Sequence, residues 1–299
     1  MLICLNGGLG NQTGNYIFAQ YLKEFEEFGQ DVKFICSKEA NEARAIVLDK
    51  FNTEIDIAKK EDIEAFLNAK TKPKLVFDLL SKNIFDKIWV NNLWTFLKSI
   101  RGEYDIYPKK TLTLLSKTVT YKEALKHKYP HTAVCDCYIP IKEFYNEAFR
   151  CKMREHFILK EGLDEKNSEV LNQIKNEENS VGIHIRRGDF LNYKMPVVKK
   201  EFLLSKMKFI QEKYPDARFF IFSDGMDWAR ENLKSDMEFD LHFVDINDET
   251  KGYLDFVLLN NCRHRVYSNS TFSLWTRYFN PFKESLEFYP EAEDLTIEC

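Results

Sequence analysis

The chain has 299 residues, of which 44% are hydrophobic and 30% charged, a composition typical of a globular protein with a sizeable core. Its 43 basic and 47 acidic side chains give a net charge of −4, so no positive field is available to hold a nucleic-acid backbone. No run of about 18 apolar residues occurs, and the sequence therefore predicts no integral membrane segment.

The cysteines favour a reducing compartment. There are seven, an odd number whose spacing matches no disulfide framework, and free thiols are the simpler interpretation. Cys135 and Cys137 flank one aspartate, but no second cysteine or histidine pair follows, so no zinc site is predicted. The apolar start lacks the basic region of a signal peptide, which predicts a cytoplasmic protein, with attachment to the inner face of the membrane left open.

The chain opens with a strand, a glycine-rich turn and a helix. Residues 2–5 are apolar and predict the strand, and 6–12 form the turn. Helical spacing of aromatic and aliphatic residues predicts a helix over about 15–28. Gly29 ends this helix, and the apolar stretch 32–35 predicts a second strand that completes a βαβ unit.

The middle of the chain is less regular. Helices are predicted near 84–98 and 142–156, among many aromatic side chains that suit a core or a sugar-binding surface. The polar stretch 160–180 is the best candidate for a linker between domains.

From residue 181 onward, strands and helices alternate. Strands are predicted over 181–185, 218–222, 241–244 and 265–267, and helices over 200–212, 225–233, 253–260 and 272–279. This alternation predicts a parallel sheet with helices on both faces. In such a sheet, ligands bind beyond the carboxyl ends of the strands, where each of the later motifs falls.

The first candidate site is the turn Gly-Gly-Leu-Gly-Asn-Gln at 7–12. Glycines let the backbone approach a phosphate, and the N-terminus of the following helix adds partial positive charge. Thr13 stands where a dinucleotide fingerprint needs glycine, Gly14 is one residue late, and a P-loop lysine is absent. A tight strand–helix connection without a ligand explains this turn equally well.

The second candidate is His-Ile-Arg-Arg-Gly-Asp at 184–189, which follows an apolar strand. Alternation places two cation-capable side chains, His184 and Arg186, on one face. The arginine fork suits a diphosphate, and Asp189 can orient an arginine or the turn. A surface charge cluster is the alternative, but the position at a ligand-facing strand end favours function.

Three further features follow later strands. Ser223 and Asp224 could bind a ribose hydroxyl or cap the next helix. The run Ser-Asn-Ser-Thr-Phe-Ser at 268–273 offers hydroxyls and backbone N–H groups to an anion, or simply caps the last helix. Asp255 is unremarkable by pattern alone, although a buried carboxylate there could accept the N1–H and N2 amine of guanine.

The three motifs at 7–12, 184–189 and 268–273, in this order, resemble the bacterial-type α-1,2-fucosyltransferases. The His-x-Arg-Arg-x-Asp element is shared with α-1,6- and protein O-fucosyltransferases. The resemblance implies an α/β, GT-B-like fold in which two Rossmann-type domains with parallel sheets face a central cleft. Residues 1–160 would form the acceptor-side domain and residues 161–299 the GDP-fucose-binding domain.

The resemblance also implies the reaction, an inverting transfer of L-fucose from GDP-β-L-fucose to the 2-hydroxyl of a terminal β-galactoside. The acceptor would be a galactose-terminated oligosaccharide or glycolipid precursor, and no cofactor or divalent metal would be needed. Arg186 would bind the β-phosphate. Asp189 is a candidate for the general base, but a structural ion pair with arginine explains its presence equally well. The predicted donor-binding residues are Leu9, Gly10, Asn11, His184, Arg186, Ser223, Asp224, Asp255, Asn269, Ser270, Thr271 and Phe272.

Two departures from the family pattern bear on the function. Thr13-Gly14-Asn15 replaces the usual Met-Phe-Gln, which puts acceptor choice in doubt more than donor choice. Leu274 stands where a tryptophan is usual. A fucosyltransferase of another linkage, such as α-1,6, and a GDP-sugar-binding protein without turnover therefore remain alternatives. A Rossmann oxidoreductase is disfavoured by the missing glycine. No Asp-x-Asp pair occurs in the sequence to hold a metal, so Arg186 and the hydroxyl-rich run are the groups available to neutralise a departing diphosphate.

Overall fold

The computed structural model describes residues 2–5, 7–25, 32–36, 45–67, 74–76, 132–134, 145–233 and 238–298. The chain divides into two compact units, Met1–Lys160 and Glu161–Cys299. Each unit contains a parallel sheet with helices, so the predicted α/β class with two parallel sheets is confirmed. The helix predicted near 84–98 and the Cys135–Cys137 pair lie outside the described residues.

The first unit is built on a sheet with the strand order β2-β1-β4-β3, in which all neighbours are parallel. Its strands are β1 (Leu2–Leu5), β2 (Lys33–Cys36), β3 (Lys74–Val76) and β4 (Thr132–Val134). Its helices are α1 (Leu9–Phe25), α2 (Lys60–Leu67) and α3 (Glu147–His156). Helix α3 is tied to α1 by a hydrogen bond of 2.6 Å between Tyr16 Oη and His156 Nδ1.

Helix α1 begins at Leu9 instead of near position 15, so the predicted turn is shorter than expected. The carbonyl of Gly8 already accepts from the backbone N–H groups of Asn11 and Gln12. The Gln12 side chain reinforces this turn by donating to the carbonyl of Gly7 at 2.9 Å. Glycine is a poor helix former, which misled the prediction, but these local bonds and burial of the helix outweigh that preference.

The second unit is built on a sheet with the order β10-β9-β5-β7-β8, again parallel throughout. Its strands are β5 (Ser180–Ile185), β7 (Arg218–Ser223), β8 (Asp240–Phe243), β9 (His264–Val266) and β10 (Glu287–Phe288). A separate antiparallel pair joins β6 (Val197–Val198) to β11 (Leu295–Thr296). The helices are α4 (Glu165–Asn176), α5 (Gly188–Asn192), α6 (Lys200–Lys213), α7 (Met226–Asn232), α8 (Gly252–Asn261) and α9 (Thr271–Tyr278).

Helices cover both faces of this sheet. On one face, Val181, Ile183 and Ile185 of β5 share a buried cluster with residues of α6 and α7. On the other face, side chains of β7 pack with residues of α4 and α8. Apolar residues therefore cover both faces of the sheet, and β5, whose six residues are all buried, lies at its centre.

The polar stretch 160–180 is not a linker, which corrects the prediction. It contains α4, whose Val170 and Ile174 are buried against Leu258 and Leu259 of α8. Asp164 caps this helix by accepting from the backbone N–H of Asn167 at 2.9 Å. The charged residues lie on the exposed side of α4 and hid its narrow apolar stripe.

The structure describes four of the cysteines and part of the helical content on which two composition-based predictions depend. The described cysteines, Cys4, Cys36, Cys151 and Cys262, form no disulfide bond with one another. Within the ranges that the structure describes, no helix has both the length and the apolar character needed to cross a membrane.

Gly182 sets the distance between β5 and α8. A Cβ at this position would lie 2.4 Å from Leu259 Cδ1 and 3.0 Å from Cys262 Cβ. Gly182→Ala should therefore overpack the core and lower the free energy of unfolding by about 1–3 kcal/mol. Thermal and urea denaturation would measure the loss.

Gly252→Ala is the matched control, because a Cβ there meets no atom within 4 Å and alanine favours a helix. Its melting temperature should equal or exceed that of the parent. Equal melting temperatures for the two variants would contradict the packing argument.

Candidate functional site

Three polar turns meet at one edge of the second sheet. The parallel register aligns Ile185, at the end of β5, with Ser223 at the end of β7. On the other side of β5, Ile183 is aligned with Val266, the last residue of β9. The segments after these strands carry Arg186, Asp224 and Ser268. The predicted ligand-facing edge therefore exists, and it brings together the motif at 184–189, the pair Ser223 and Asp224, and the run at 268–273.

Arg186 is held between two carboxylates. Its Nη2 lies 2.7 Å from Asp189 Oδ1, and its Nη1 lies 2.8 Å from Asp224 Oδ2. The side chain remains 33% exposed, and its guanidinium carbon lies 5.7 Å from the centre of the Phe190 ring. A guanidinium has five N–H donors, so the carboxylates orient this one and leave further donors available.

The neighbouring Arg187 is a structural residue. It is 4% exposed, and its Nη1 and Nη2 donate to the two oxygens of the Glu298 carboxylate. Its guanidinium carbon lies 4.0 Å from the centre of the Trp228 ring. Arg187 therefore has its charge paired and its face covered, whereas Arg186 faces partly outward.

Ser223 and Asp224 shape the turn between the strand ends. Ser223 Oγ accepts from the backbone N–H of Gly225 at 2.9 Å. Asp224 Oδ1 accepts from the backbone N–H of Arg187 at 2.6 Å, while Oδ2 faces Arg186. A Cβ at Gly188 would lie 2.5 Å from that Oδ2, so the closeness of the two turns requires glycine there. Their predicted contact with the donor ribose stays a prediction.

His184 is buried beneath the last motif. Its Nδ1 lies 2.7 Å from Ser273 Oγ and 2.9 Å from Ser268 Oγ, and its ring stacks on Phe272 at 4.7 Å. Burial, with a smaller effect of the Arg186 charge, lowers the pKa of His184 to about 3. The ring is therefore neutral near pH 7, which corrects its description as a cation-capable group. Among the described residues, Nε2 has no hydrogen-bond partner.

The hydroxyl-rich run begins helix α9. Ser270 is its N-cap and accepts from the backbone N–H of Ser273 at 3.2 Å, which confirms the capping interpretation for this residue. Asn269 Nδ2 donates to the carbonyl of Pro196 at 2.9 Å, while its buried Oδ1 has no hydrogen-bond partner within the described part of the chain. Thr271 and Phe272 are partly exposed in the first helical turn, where backbone N–H groups lack intrahelical acceptors.

Asp255 belongs to a partly buried polar network that the pattern did not reveal. Its Oδ1 accepts from Asn247 Nδ2 at 2.7 Å. The amides of Asn247 and Asn167 donate to each other at 2.8 and 3.0 Å, and Asn167 also donates to Asp164 Oδ1 at 2.8 Å. Asn167 and Asn247 are 80 positions apart in polar stretches, so no local signal marks them.

Burial raises the pKa of the Asp255 carboxyl to about 7, although the Asn247 hydrogen bond opposes this and the Asp245 charge adds to it. Asp255 is therefore poised between its protonated and ionised forms near neutral pH. A carboxyl group with a pKa this strongly shifted is a candidate for recognising a hydrogen-bond donor.

The residues of the first motif lie in the first unit. Leu9 and Gly10 are buried in the first turn of α1, and Asn11 is partly exposed. Their predicted contact with the donor diphosphate stays a prediction. In the described residues, no three or more His, Cys, Asp and Glu side chains are grouped so as to hold a metal ion.

Parallel α/β units with an arginine and a helix N-terminus at one sheet edge are typical of enzymes that bind phosphorylated ligands. The family model described as "Glycosyl transferase family 11" matches residues 117–286, more than half of the chain. The chain belongs to this glycosyltransferase family, which confirms the predicted enzyme class and family. The matched segment contains the motifs at 184–189 and 268–273 but not the glycine turn.

The curated relatives include "Galactoside alpha-(1,2)-fucosyltransferase 1" of Aotus azarae and of Homo sapiens. They are 30% and 29% identical to this chain over 140 residues. Each match covers 43% of this chain and 38% of the relative, so the chain spans well under two thirds of the proteins it matches.

Two solved structures are similar over most of their length. Fucosyltransferase NodZ from Bradyrhizobium is 15% identical, with a TM-score of 0.44 over 99% of this chain and 98% of NodZ. POFUT1 in complex with GDP-fucose is 14% identical, with a TM-score of 0.45 over 96% of each chain. Both TM-scores are below 0.5, so neither likeness bears on the details of the site.

The raised pKa of Asp255 gives a prediction about stability. Folding raises this pKa from an ordinary value near 3.8 to about 7, so the ionised form is disfavoured in the folded state. The folded protein should therefore lose stability as the pH rises from about 4 to about 7, the interval in which the carboxyl is ionised in the unfolded chain but still protonated in the folded one. Asp255→Asn removes the ionisation and can still accept from Asn247, so its stability relative to the parent should rise by about 2–3 kcal/mol between pH 5 and pH 8.

Urea denaturation at the two pH values would measure this difference. Asp227→Asn, which changes an exposed carboxylate on α7, is the control and should shift stability little at either pH. The prediction is wrong if Asp255→Asn and the parent respond to pH alike.

Proposed function

We propose that this chain is an inverting, metal-independent fucosyltransferase that moves L-fucose from GDP-β-L-fucose to the 2-hydroxyl of a terminal β-galactoside. Membership of glycosyl transferase family 11 and the names of the relatives support the proposal. The observation that carries it is Arg186, oriented by two carboxylates at the end of β5 and partly exposed.

Arg186 neutralises the departing diphosphate. Cleavage of the sugar–phosphate bond leaves negative charge on the β-phosphate, and a preoriented guanidinium lowers the energy of that state. The Thr271 hydroxyl and the first backbone N–H groups of α9 supply further donors. Together these groups take the part that a divalent metal plays in other glycosyltransferases.

Asp189 links donor binding to deprotonation of the acceptor. Arg186, Asp189 and Asp224 together carry a net charge of −1, so an incoming diphosphate competes with a carboxylate for the guanidinium. Asp189 is 33% exposed, whereas the Asp224 side chain is 14% exposed and also holds the backbone of Arg187. Asp189 is the more exposed of the two carboxylates, and we assign to it the role of general base for the acceptor hydroxyl.

Asp255 and His184 bind the nucleoside of the donor. One oxygen of Asp255 is taken by Asn247, and its carboxylate has lone pairs left for the N1–H and N2 amine of guanine. The neutral His184 offers Nε2 beside Phe272. Ser223, Asp224, Asn269 and Ser270 contribute by fixing the turns around the donor.

The first unit serves the acceptor, and residues 9–11 of α1 meet the donor diphosphate. The acceptor is a galactose-terminated oligosaccharide or a glycolipid precursor, fucosylated in the cytoplasm. No cofactor takes part besides the GDP-fucose donor.

Transfer from GDP-fucose to lactose or N-acetyllactosamine in the presence of EDTA tests the function. The parent should form product, and Arg186→Lys should lose at least about 100-fold in kcat/KM because one ammonium cannot replace the planar fork. Arg230→Lys is the control, since Arg230 is an exposed arginine paired with Asp245 on α7. It should retain parental activity.

Product linkage and GDP binding separate the alternatives. A product with another linkage would keep fucosyl transfer and reject the α-1,2 assignment. Thermal stabilisation by GDP without transfer to any galactoside, with or without added metal, would favour a GDP-sugar-binding protein.

The pKa of Asp255 predicts how GDP affinity depends on pH. Guanine requires the ionised carboxylate, and the pKa of free Asp255 is about 7. The affinity for GDP should therefore rise roughly tenfold between pH 6 and pH 8. In Asp255→Asn the affinity should be low and independent of pH, and the preference for GDP over ADP should be lost. Isothermal titration calorimetry would measure all three effects, and a pH-independent affinity in the parent would refute the assignment.

A further inference from the structure

The segment that contains β11 brings the Glu298 carboxylate to the turn after β5, which contains Arg187. Strand β11 pairs antiparallel with β6, aligning Leu295 with Val198 and Thr296 with Val197. The backbone N–H of Lys199 also donates to the carbonyl of Asp294 at 2.9 Å. These backbone bonds fix residues 294–296, and Glu298 follows two positions later.

Glu298 provides the counter-charge for Arg187. Both carboxylate oxygens accept from the guanidinium, which is almost fully buried and covered on one face by Trp228. A buried cation that loses its partner is strongly destabilised, and the side chain would be expected to move or to recruit water. The ion pair with Glu298 is therefore needed to keep the Arg187 side chain in its observed position.

Arg187 in turn fixes the carboxylate that orients Arg186. The backbone N–H of Arg187 donates to Asp224 Oδ1 at 2.6 Å, and Asp224 Oδ2 lies 2.8 Å from Arg186 Nη1. A displacement of the Arg187 main chain would therefore act on both oxygens of Asp224. The chain of contacts runs without interruption from Glu298 to Arg186.

We propose that Glu298 is a positioning residue for the donor diphosphate, which acts through Arg187 and Asp224 to hold the Arg186 guanidinium in place. The inference rests on the proposed function, in which Arg186 binds the diphosphate. It adds a residue from a segment that lies outside all the recognised motifs and is 111 positions away from Arg187.

Glu298→Gln tests the proposal when GDP and guanosine are compared by isothermal titration calorimetry. Guanosine lacks the phosphates and does not use Arg186, so its Kd should change less than twofold. The Kd for GDP should rise about tenfold, because misplacement of one coupled contact is typically of that size. Glu293→Gln is the control, since Glu293 is an exposed carboxylate nearby, and both of its Kd values should match those of the parent.

Glu298→Asp provides a second variant if Glu298→Gln does not fold. It keeps the charge but shortens the reach, so the Kd for GDP should rise by a smaller factor, about threefold, while guanosine binding is unchanged. The KM for GDP-fucose should rise in the same order, parent, Glu298→Asp, Glu298→Gln.

Three results would overturn the proposal. Glu298 variants that bind GDP as tightly as the parent would show that Arg186 does not depend on Glu298. Equal increases in the Kd values for GDP and for guanosine would show that the substitution affects folding in general. If the parent bound GDP no more tightly than guanosine, the proposed role of Arg186 would be refuted as well. This result distinguishes failure of the proposed function from failure of the inference about Glu298.

Discussion

The Asp224 carboxylate links the turn after β7 to the turn after β5, and these two turns form part of the candidate site. One of its oxygens accepts from the backbone of Arg187 and the other pairs with the Arg186 guanidinium, so a single side chain at the end of β7 fixes the turn after β5. This pairing is possible because the parallel register places the ends of β5 and β7 side by side. Gly188 permits the close approach, since a side chain there would collide with the same carboxylate.

Burial gives chemically identical groups different roles at this edge. Arg186 and Arg187 are adjacent in sequence, but one keeps a third of its surface exposed while the other is enclosed by Trp228 and Glu298. A buried charge must be paired, and the Arg187 guanidinium is both paired with Glu298 and covered by the Trp228 ring. Exposure therefore decides which arginine is available to a diphosphate, a choice that the motif itself leaves open.

The same principle governs the ionisable groups around the proposed nucleoside site. Burial lowers the pKa of His184 and keeps the ring neutral, whereas it raises the pKa of Asp255 towards neutrality. The amide pair of Asn167 and Asn247 is fully used in hydrogen bonds and therefore holds the Asp255 side chain in a single orientation. Such a network can discriminate between bases because an unpaired buried donor or acceptor is costly.

The sequence by itself determined the α/β class and the positions of most strands and helices in the second unit. It also determined the strand ends that carry Arg186, Asp224 and Ser268. These features could be predicted because apolar periodicity and local turn chemistry act over a few residues. It misplaced the start of α1 and missed α4, because tertiary burial outweighed glycine content and polar composition there. Only the tertiary structure decided the neutral state of His184, the pairing of Arg187 with Glu298 and the network around Asp255. These depend on burial and on contacts between residues 80 to 111 positions apart, which no local pattern encodes.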